Sequence, residues 1–258
     1  GGSEATKTKD YSGLGNNGTI SGAIWNRTGG QDGFGAYKFD GVNDYINVTN
    51  FNGLPSSKIT VSAWIKIRNN KDWSRIVNYR WSEDIGWLLF VDSGGDAIFG
   101  VRKDTNQYNA IKSGVTTDTW HHIAGTYNGS IVRIYVDGVA GSTSSVTTTL
   151  NTTGNVDIGG RSEDSFNGTI DDVQIFNRTL TAGQIKTLYQ KKMNIIHSDE
   201  TSVGDKWKAC STPNDKYEDG TEKCSNNVTI QPTPYVNNPP TQGTPILSSS
   251  LGLNTTNE

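Results

Sequence analysis

The sequence has little of what marks membrane proteins and nucleic-acid-binding proteins. Only 33% of its 258 residues are hydrophobic, and no apolar run approaches the ~20 residues that a membrane-spanning helix needs. Lysine and arginine together number 23 against 26 aspartates and glutamates, which gives a net charge of −3. Without an excess of positive charge, neither nucleic acid nor an anionic membrane is expected as a partner.

Cysteine is also scarce. The chain has two cysteines, Cys210 and Cys224, and two alone do not identify a cellular compartment. The segment 202–230 has the pattern of a hairpin that turns at "PNDKYEDG", and counting outward from this turn places the two cysteines nearly opposite each other. A cross-strand disulfide is therefore predicted, and two free buried thiols are the alternative.

Glycine, by contrast, is abundant at 30 residues, and asparagine, serine and threonine are frequent. Short strands separated by polar turns produce this composition, and alternating segments such as "KITVSAWIKI" and "SIVRIYVDG" supply the strands. One helix is predicted in "TLTAGQIKTLYQKK", where Thr181 caps the N-terminus and Ile185 and Leu188 share one face. The predicted fold is all-β, a jelly-roll β-sandwich with one short helix.

Residues 7–190 resemble the laminin-G-like jelly roll of the concanavalin-A-like lectin/glucanase superfamily. The matching stretches are "DYSGLGNNGTI", "AYKFDGVNDYINV", "ITVSAWIKI", "WHHIAGTYNGSIVRIYVDG" and "NGTIDDVQIFNRTLTAGQIKTLY", in the family's order. The resemblance implies one domain over residues 1–190, with two facing antiparallel sheets and a surface that binds sugars or proteins. Family members begin with a short apolar strand, but "GGSEATKTK" is too polar for one, so the first strand is expected to be missing.

The rest of the chain resembles parts of the immunoglobulin-like repeats of large prokaryotic surface proteins. Residues 199–230 are similar to the last two strands of such a repeat, which suggests a small module at 191–230. Residues 231–258 would be a linker followed by an opening strand, on which Leu247, Leu251 and Leu253 alternate. The chain starts with Gly1-Gly2 rather than methionine, which suggests a processed start or an interior cut. Because the resemblance gives the end of one repeat and the beginning of one, a window of a longer, repetitive surface protein is expected.

The resemblance also suggests a structural calcium site. The "DYSGLGNN" loop and the "GTIDD" strand approach each other in many relatives, and Asp10, Asn16 and Asp171 are the candidate ligands there. Calcium prefers six to eight oxygen ligands from carboxylates and carbonyls, which loops supply. The alternative is that Asp10 and Asn16 stabilise a tight turn.

Nine Asn-x-Ser/Thr sequons predict covalent N-glycans on accessible loops. Chance is the alternative, because the composition is rich in all three residue types. The candidate attachment sites are Asn17, Asn26, Asn47, Asn128, Asn151, Asn167, Asn177, Asn227 and Asn254.

The aromatic residues suggest a contact surface for sugar or protein. Trp64, Trp87 and Trp120 lie in strand patterns and are expected in the core. The segment "NKDWSRIVNYRWSEDIG" has the composition of a loop, and we expect its Trp73, Tyr79 and Trp81 to be exposed.

No catalytic residues are predicted. Glucanases of the superfamily carry acidic residues at alternate strand positions, whereas Asp171 and Asp172 are adjacent and would face opposite sides. His121 and His122 are interpreted as packing residues because no partner accompanies them in the sequence. A serine nucleophile elbow, a Cys-x-x-Cys motif and a phosphate loop are absent from the sequence.

The leading hypothesis from the sequence is a non-enzymatic, extracellular, glycosylated module of a cell-surface array or filament. Copies of the chain would join head to tail when the C-terminal strand of one completes a sheet of the next. The alternative is a carbohydrate-binding adhesin domain, in which assembly plays no part.

Overall fold

The computed structural model describes residues 6–54, 56–79, 85–161, 164–191, 201–211 and 220–231. Trp81, the sequon at Asn254 and the predicted donor strand with Leu247, Leu251 and Leu253 lie outside these residues. The chain divides into two units, of which the larger consists mainly of residues 1–192. The two units are taken in turn.

The larger unit is a sandwich of two antiparallel sheets, as the sequence predicts. One sheet has eight described strands in the order β1-β2-β5-β14-β7-β8-β9-β10, and the other has seven in the order β13-β12-β11-β6-β15-β4-β3. The strands are β1 (Lys7–Thr8), β2 (Gly18–Ser21), β3 (Ile24–Asn26), β4 (Ala36–Asp40), β5 (Tyr45–Val48), β6 (Ile59–Ile67), β7 (Ser74–Tyr79), β8 (Ile85–Val91), β9 (Asp96–Lys103), β10 (Asn106–Ser113), β11 (Trp120–Tyr127), β12 (Ile131–Val136), β13 (Val139–Ser145), β14 (Val156–Ile158) and β15 (Asn167–Phe176).

The core lies between the two sheets and is clearest along β6. Every second residue of this strand, from Ile59 through Ile65 to Ile67, is fully buried in the main hydrophobic cluster. Trp87 and Leu89 of β8 enter the same cluster from the other sheet. Burying a side chain of this size contributes about 1.5–3 kcal/mol, so the period-two pattern of β6 determines which face of its sheet turns inward.

The N-terminal strand corrects the sequence analysis. Lys7 and Thr8 form β1 and pair with Thr19 and Gly18 of β2 at the edge of the eight-stranded sheet. Main-chain hydrogen bonds make this pairing, and an edge strand tolerates polar and charged side chains such as lysine. A side chain at Gly18 would lie 2.8 Å from Thr8 Cγ2, so glycine permits the close approach. The strand expected to be missing is therefore present.

The predicted helix is present as α1 (Ala182–Tyr189). Gln184 N donates to Thr181 Oγ1 at 3.3 Å, and Thr181 N donates to Gln184 Oε1 at 2.7 Å, which completes a capping box. Ile185 packs with Leu180 on the outward face of the seven-stranded sheet, and the partly buried Leu188 contacts the same cluster.

The smaller unit contains a hairpin ladder in its described residues. β16 (Lys206–Trp207) pairs with β19 (Val228–Thr229), and β17 (Cys210–Ser211) pairs with β18 (Lys223–Cys224). Cys210 lies directly opposite Cys224, and their sulfurs form a disulfide of 2.10 Å. The strand register is therefore the one predicted by counting outward from the turn. The resemblance to an immunoglobulin-like repeat stays a prediction. No helix among the described residues combines the length and apolarity needed to cross a bilayer.

Replacement of Thr181 by alanine is expected to lower the free energy of unfolding of the larger unit by about 1 kcal/mol. The reason is that Gln184 N then loses its side-chain acceptor at the start of α1. Urea denaturation followed by tryptophan fluorescence measures the change. The matched control is Thr187→Ala, because among the described residues the Thr187 hydroxyl donates to Gly183 O of the same helix and caps no main-chain N–H group. Equal destabilisation by both variants would show that the cap contributes nothing specific.

Candidate functional site

The outward face of the seven-stranded sheet carries an open cleft of about 420 Å³. Its floor includes a transverse row of four residues on neighbouring strands, which we call the cleft row: Lys38, Thr169, Lys66 and Trp120. The strand register sets this row, because Lys38 lies opposite Thr169, Thr169 opposite Lys66, and Lys66 opposite Trp120. At about 4.8 Å between strands, the row extends about 14 Å across the sheet.

The loop after β3 forms one wall of the cleft through Asn26, Thr28, Gly29 and Gly30. Thr28 N donates to Asn26 Oδ1 at 3.3 Å and Gly29 N to Asn26 O at 3.2 Å, so a local turn sets the shape of this wall. Gly30 N donates to Phe34 O at 2.7 Å and closes the loop. The cleft is therefore bounded by a hydrogen-bonded loop and floored by paired strands.

The opposite end of the cleft is formed by Arg68, Asp118 and Asn167. Arg68 N donates to Asn167 O at 2.9 Å, and Asp118 N donates to Ile67 O at 2.7 Å. Gly168 follows Asn167 on β15, and a Cβ atom at this position would lie 2.3 Å from Lys66 O. The glycine thus allows the main chains of β15 and β6 to approach closely beneath the cleft.

Trp120 is half-buried at the end of the cleft row. Its indole makes no ring contact with another aromatic side chain in the described part of the chain. Trp64, two residues along the neighbouring strand from Lys66, instead stacks on Tyr189 of α1 at 5.7 Å between ring centroids. The expectation that Trp120 is a core residue is corrected, while Trp64 and Trp87 are buried as predicted. A partly exposed indole without a stacking partner is the type of group on which an apolar sugar face packs.

The predicted aromatic contact surface does not form as expected. Tyr79 is the last residue of β7 and is fully buried; its ring stacks on Trp87, and its hydroxyl donates to Thr153 O at 2.8 Å. Trp73 is half-buried, and its ring lies nearly parallel to that of Phe90 at 4.7 Å. The sequence suggested a loop here, but β7 (Ser74–Tyr79) forms the middle of the segment and places Tyr79 in the core.

The candidate calcium ligands fall into two places. Asn16 N donates to Asp10 Oδ2 at 2.8 Å, and Asn16 exchanges hydrogen bonds of 2.7 and 3.0 Å with the main chain of Asn52. Burial alone would raise the pKa of Asp10, but hydrogen bonds from Ser12 and Asn16 outweigh it, and the pKa is lowered. These contacts are those of a stabilised turn.

Asp171 lies on β15 in the other sheet, with a separate set of contacts. Its Oδ2 accepts a hydrogen bond from Gln31 N and its Oδ1 accepts one from Asp172 N, each 2.9 Å long. Burial raises the pKa of Asp171 to about 6, and the neighbouring Asp172 and Asp32 add to this shift. Asp171 therefore holds the loop that forms the cleft wall, and a calcium ion shared with Asp10 stays a prediction.

The two adjacent aspartates do not follow the simple strand alternation. The register of β15 shifts after Asp171, and Asp172 has a φ of 45°. This irregularity places Asp172 near the ammonium group of Lys191, at 3.5 Å, and that ammonium is also 3.8 Å from Asp32. The prediction that the two carboxylates face opposite sides of a regular strand is wrong because the strand is bulged at that point.

The sequons differ in how accessible they are. Asn17, Asn26, Asn128, Asn177 and Asn227 are exposed, whereas Asn47, Asn151 and Asn167 are half-buried. An N-linked glycan is attached to the side-chain amide nitrogen of asparagine. This nitrogen already donates a hydrogen bond in Asn47, to Asp157 Oδ1 at 2.7 Å, and in Asn167, to Asp40 O at 3.1 Å. These two sites are therefore less suited to attachment, and glycosylation as such stays a prediction.

His121, the first of the paired histidines, has a hydrogen-bond partner on each ring nitrogen. His121 Nδ1 lies 2.8 Å from Asp137 Oδ2, and Thr116 N donates to His121 Nε2 at 3.1 Å. Because Nε2 accepts a main-chain hydrogen bond, Nδ1 carries the proton and donates to Asp137. This acidic partner is not apparent in the sequence because Asp137 lies beyond the next strand, in the turn after β12. The lone pair that a general base needs is thus already engaged.

An antiparallel jelly-roll sandwich with a polar, tryptophan-edged cleft on one sheet defines a lectin-like β-sandwich domain. A family model described as the concanavalin A-like lectin/glucanases superfamily matches residues 40–186, which is more than half of the chain. The chain therefore belongs to this superfamily, as the sequence resemblance implied. No curated protein sequence matches the chain significantly.

Solved structures share the fold at low sequence identity. Domain 4 of AbnA, a GH43 extracellular arabinanase from Geobacillus stearothermophilus in complex with arabinotriose, is 19% identical with a TM-score of 0.60; the match covers 69% of this chain and 90% of that domain. The binding domain of Paraclostridial Mosquitocidal Protein 1 is 21% identical with a TM-score of 0.59, over 75% of this chain and 52% of the other. The chain thus spans about half of that toxin domain.

His122 is expected to make the domain less stable as the pH falls from about 6.5 to about 4. Burial lowers the pKa of His122 to about 4 from its ordinary 6.5, so the unfolded chain binds a proton that the folded chain does not. His122→Phe removes this proton uptake and is expected to flatten the loss of thermal stability across that window, measured by calorimetry.

Asp171→Asn is the control, and it is expected to change the pH dependence of stability in the opposite direction to His122→Phe. The folded pKa of about 6 exceeds the ordinary 3.8, so protonated Asp171 favours the folded state at low pH, and this contribution is lost as the pH rises through 6. Replacement of Asp171 should therefore make the stability of the domain fall more steeply as the pH is lowered. Parallel pH profiles for wild type and both variants would contradict the assignment.

Proposed function

We propose that the domain is a non-catalytic carbohydrate-binding module of an extracellular protein and that the cleft holds an oligosaccharide. The observation that carries this proposal is Trp120, a half-buried indole without an aromatic partner in the described residues, at one end of a row of polar side chains. Sugars present apolar ring faces and many hydroxyl groups. A surface that offers one aromatic face beside several donors and acceptors is complementary to both.

The cleft lining supplies hydrogen-bonding groups of both kinds. Asn26 and Asn167 each carry an amide, Thr28 and Thr169 hydroxyls, and Asp118 a carboxylate acceptor. The arabinotriose complex of the arabinanase domain supports the proposal, because a domain of this fold binds an oligosaccharide in that protein.

Trp120→Ala is expected to weaken oligosaccharide binding about 30-fold, or about 2 kcal/mol, because it removes the aromatic face on which a sugar ring would pack at one end of the row. A glycan array identifies ligands for the wild-type domain, and isothermal titration calorimetry then compares the variant. Trp73→Ala is the matched control, since Trp73 is also half-buried but stacks on Phe90 in the other sheet. Thermal unfolding of both variants verifies that they are folded.

Trp73→Ala should lose stability without losing affinity, and Trp120→Ala should do the reverse. Absence of binding to every glycan on the array would reject the proposal. Binding that survives Trp120→Ala unchanged would place any sugar site elsewhere on the domain.

A second candidate is a role in surface assembly, favoured by the hairpin of the smaller unit. Each of its four short strands has one strand partner within the described residues, and a two-stranded ladder is marginal in water without further strands. The edge of the jelly roll beside β2, where the first strand was expected to be missing, is already covered by β1. The hairpin is thus the acceptor to which a strand of another copy would add, head to tail, in a glycosylated array.

Deletion of residues 241–258 tests this assembly. If a strand of the deleted segment joins the hairpin of a neighbour, the full chain forms polymers visible by electron microscopy and size-exclusion chromatography, whereas the shortened chain is monomeric. Leu251→Ser with Leu253→Ser, which keeps the length, should have the same effect. Monomeric full-length chain, or polymers that persist without the segment, would reject this candidate.

A further inference from the structure

Three cationic side chains from two segments of the chain line the cleft. Lys38 lies on β4, Lys66 on β6, and Arg68 follows β6 by one residue. Lys38 and Lys66 are both paired with Thr169 from opposite sides, so two strand spacings, about 10 Å, separate their main chains. Against these three positive charges the cleft lining has one carboxylate, Asp118.

Three other cations of the domain each have a carboxylate partner. Arg75 pairs with Asp164, Arg161 with Asp157, and Lys191 with Asp172. Within the described ranges, by contrast, none of Lys38, Lys66 and Arg68 makes an ion pair. Like charges that line one cleft repel one another, and no ion pair to any of the three in the described ranges offsets this repulsion.

The local charge of the cleft is opposite to that of the whole chain, which has a net charge of −3. A bound anion would relieve the repulsion and accept charge-assisted hydrogen bonds, which are stronger than those between neutral groups. A ligand in the cleft must lie beside Trp120, at one end of the row, and beside Asp118, which precedes Trp120 by two residues and lines the same cleft. A carboxylate such as Asp118 accepts hydrogen bonds from hydroxyl groups but repels a ligand that carries only negative charge.

An acidic sugar meets both conditions because it carries anionic groups and hydroxyl donors on the same rings. Nucleic acid fits less well, because its dense backbone charge would meet Asp118 and the negative charge of the rest of the chain. An anionic membrane would contact a flat or protruding surface, whereas these cations line a cleft beneath the loop that contains Thr28 and Gly29.

We propose that the cleft selects acidic glycans, whose carboxylate or sulfate groups pair with Lys38, Lys66 and Arg68 while a sugar ring packs on Trp120. This inference rests on the proposed carbohydrate-binding function and specifies its ligand class. The anion recognition is direct, through side-chain cations, and therefore needs no calcium ion between protein and sugar.

The test compares ligands that differ only in charge. Tetragalacturonate and its fully methyl-esterified form are titrated into the full chain by calorimetry at about 50 and about 300 mM NaCl, with and without EDTA. The acid is expected to bind about tenfold or more tightly than the ester at low salt, to lose this advantage at high salt, and to be insensitive to EDTA. A heparin tetrasaccharide, run in parallel, distinguishes sulfate from carboxylate as the preferred group.

Variants assign the effect to the cleft. Lys38→Met, Lys66→Met and Arg68→Met each keep an unbranched apolar stem but remove the charge, and each is expected to weaken acid binding about tenfold while sparing the ester. Each should also reduce the slope of log K against log salt by roughly one. Arg68→Lys should retain most of the affinity. Lys58→Met is the control, because Lys58 is exposed and lies outside the cleft lining.

The outcomes separate this inference from the function on which it rests. Equal binding of acid and ester, both abolished by Trp120→Ala, would overturn the acidic preference and leave the carbohydrate site intact. Failure of both sugars and of the glycan array would overturn both proposals. Tighter binding of a single-stranded DNA decamer or of phosphatidylserine vesicles than of any acidic sugar would also overturn the assignment.

Discussion

The register of β6 between β15 and β11 is the constraint on which both the core and the cleft depend. The inward residues of β6, such as Ile65 and Ile67, are fully buried, while Lys66 between them faces the cleft. A slip of one residue would carry Lys66 into the core and an isoleucine into the cleft. The free energy of burying the apolar face therefore also fixes the position of the polar face.

One part of the outward face of this sheet is covered by helix α1, and another part forms the cleft. Near Trp64 and Ser62, helix α1 and the segment before it cover the strands, and Leu180 N donates to Thr60 Oγ1 at 2.9 Å. Near Lys66 no helix intervenes in the described part of the chain, and the cleft is open. Asp171 lies between the helix-covered region and the open region. Its carboxylate accepts a hydrogen bond from the loop that forms the cleft wall.

Much of the fold could be predicted from the sequence because patterns among residues close together in the chain specify it. The alternation along β6, the capping box at Thr181 and the turn that sets Cys210 opposite Cys224 each depend on residues close together in the chain. The N-terminal strand was not predicted, because its main-chain pairing requires no apolar side chains. Tyr79 was placed in a loop because polar residues on both sides masked a strand that ends at its position.

The sequence by itself determined the fold class, the helix and the disulfide register, since periodicity, turns and caps are short-range properties of the chain. The superfamily was indicated by the resemblance of its motifs to those of the family. Only the tertiary structure decided which tryptophan borders the cleft and which cations meet there. Lys38, Lys66 and Trp120 are far apart in sequence, and they share a row only because β4, β15, β6 and β11 are aligned by their hydrogen bonds. Strand order and register across a sheet arise from packing between distant segments, which no local pattern specifies.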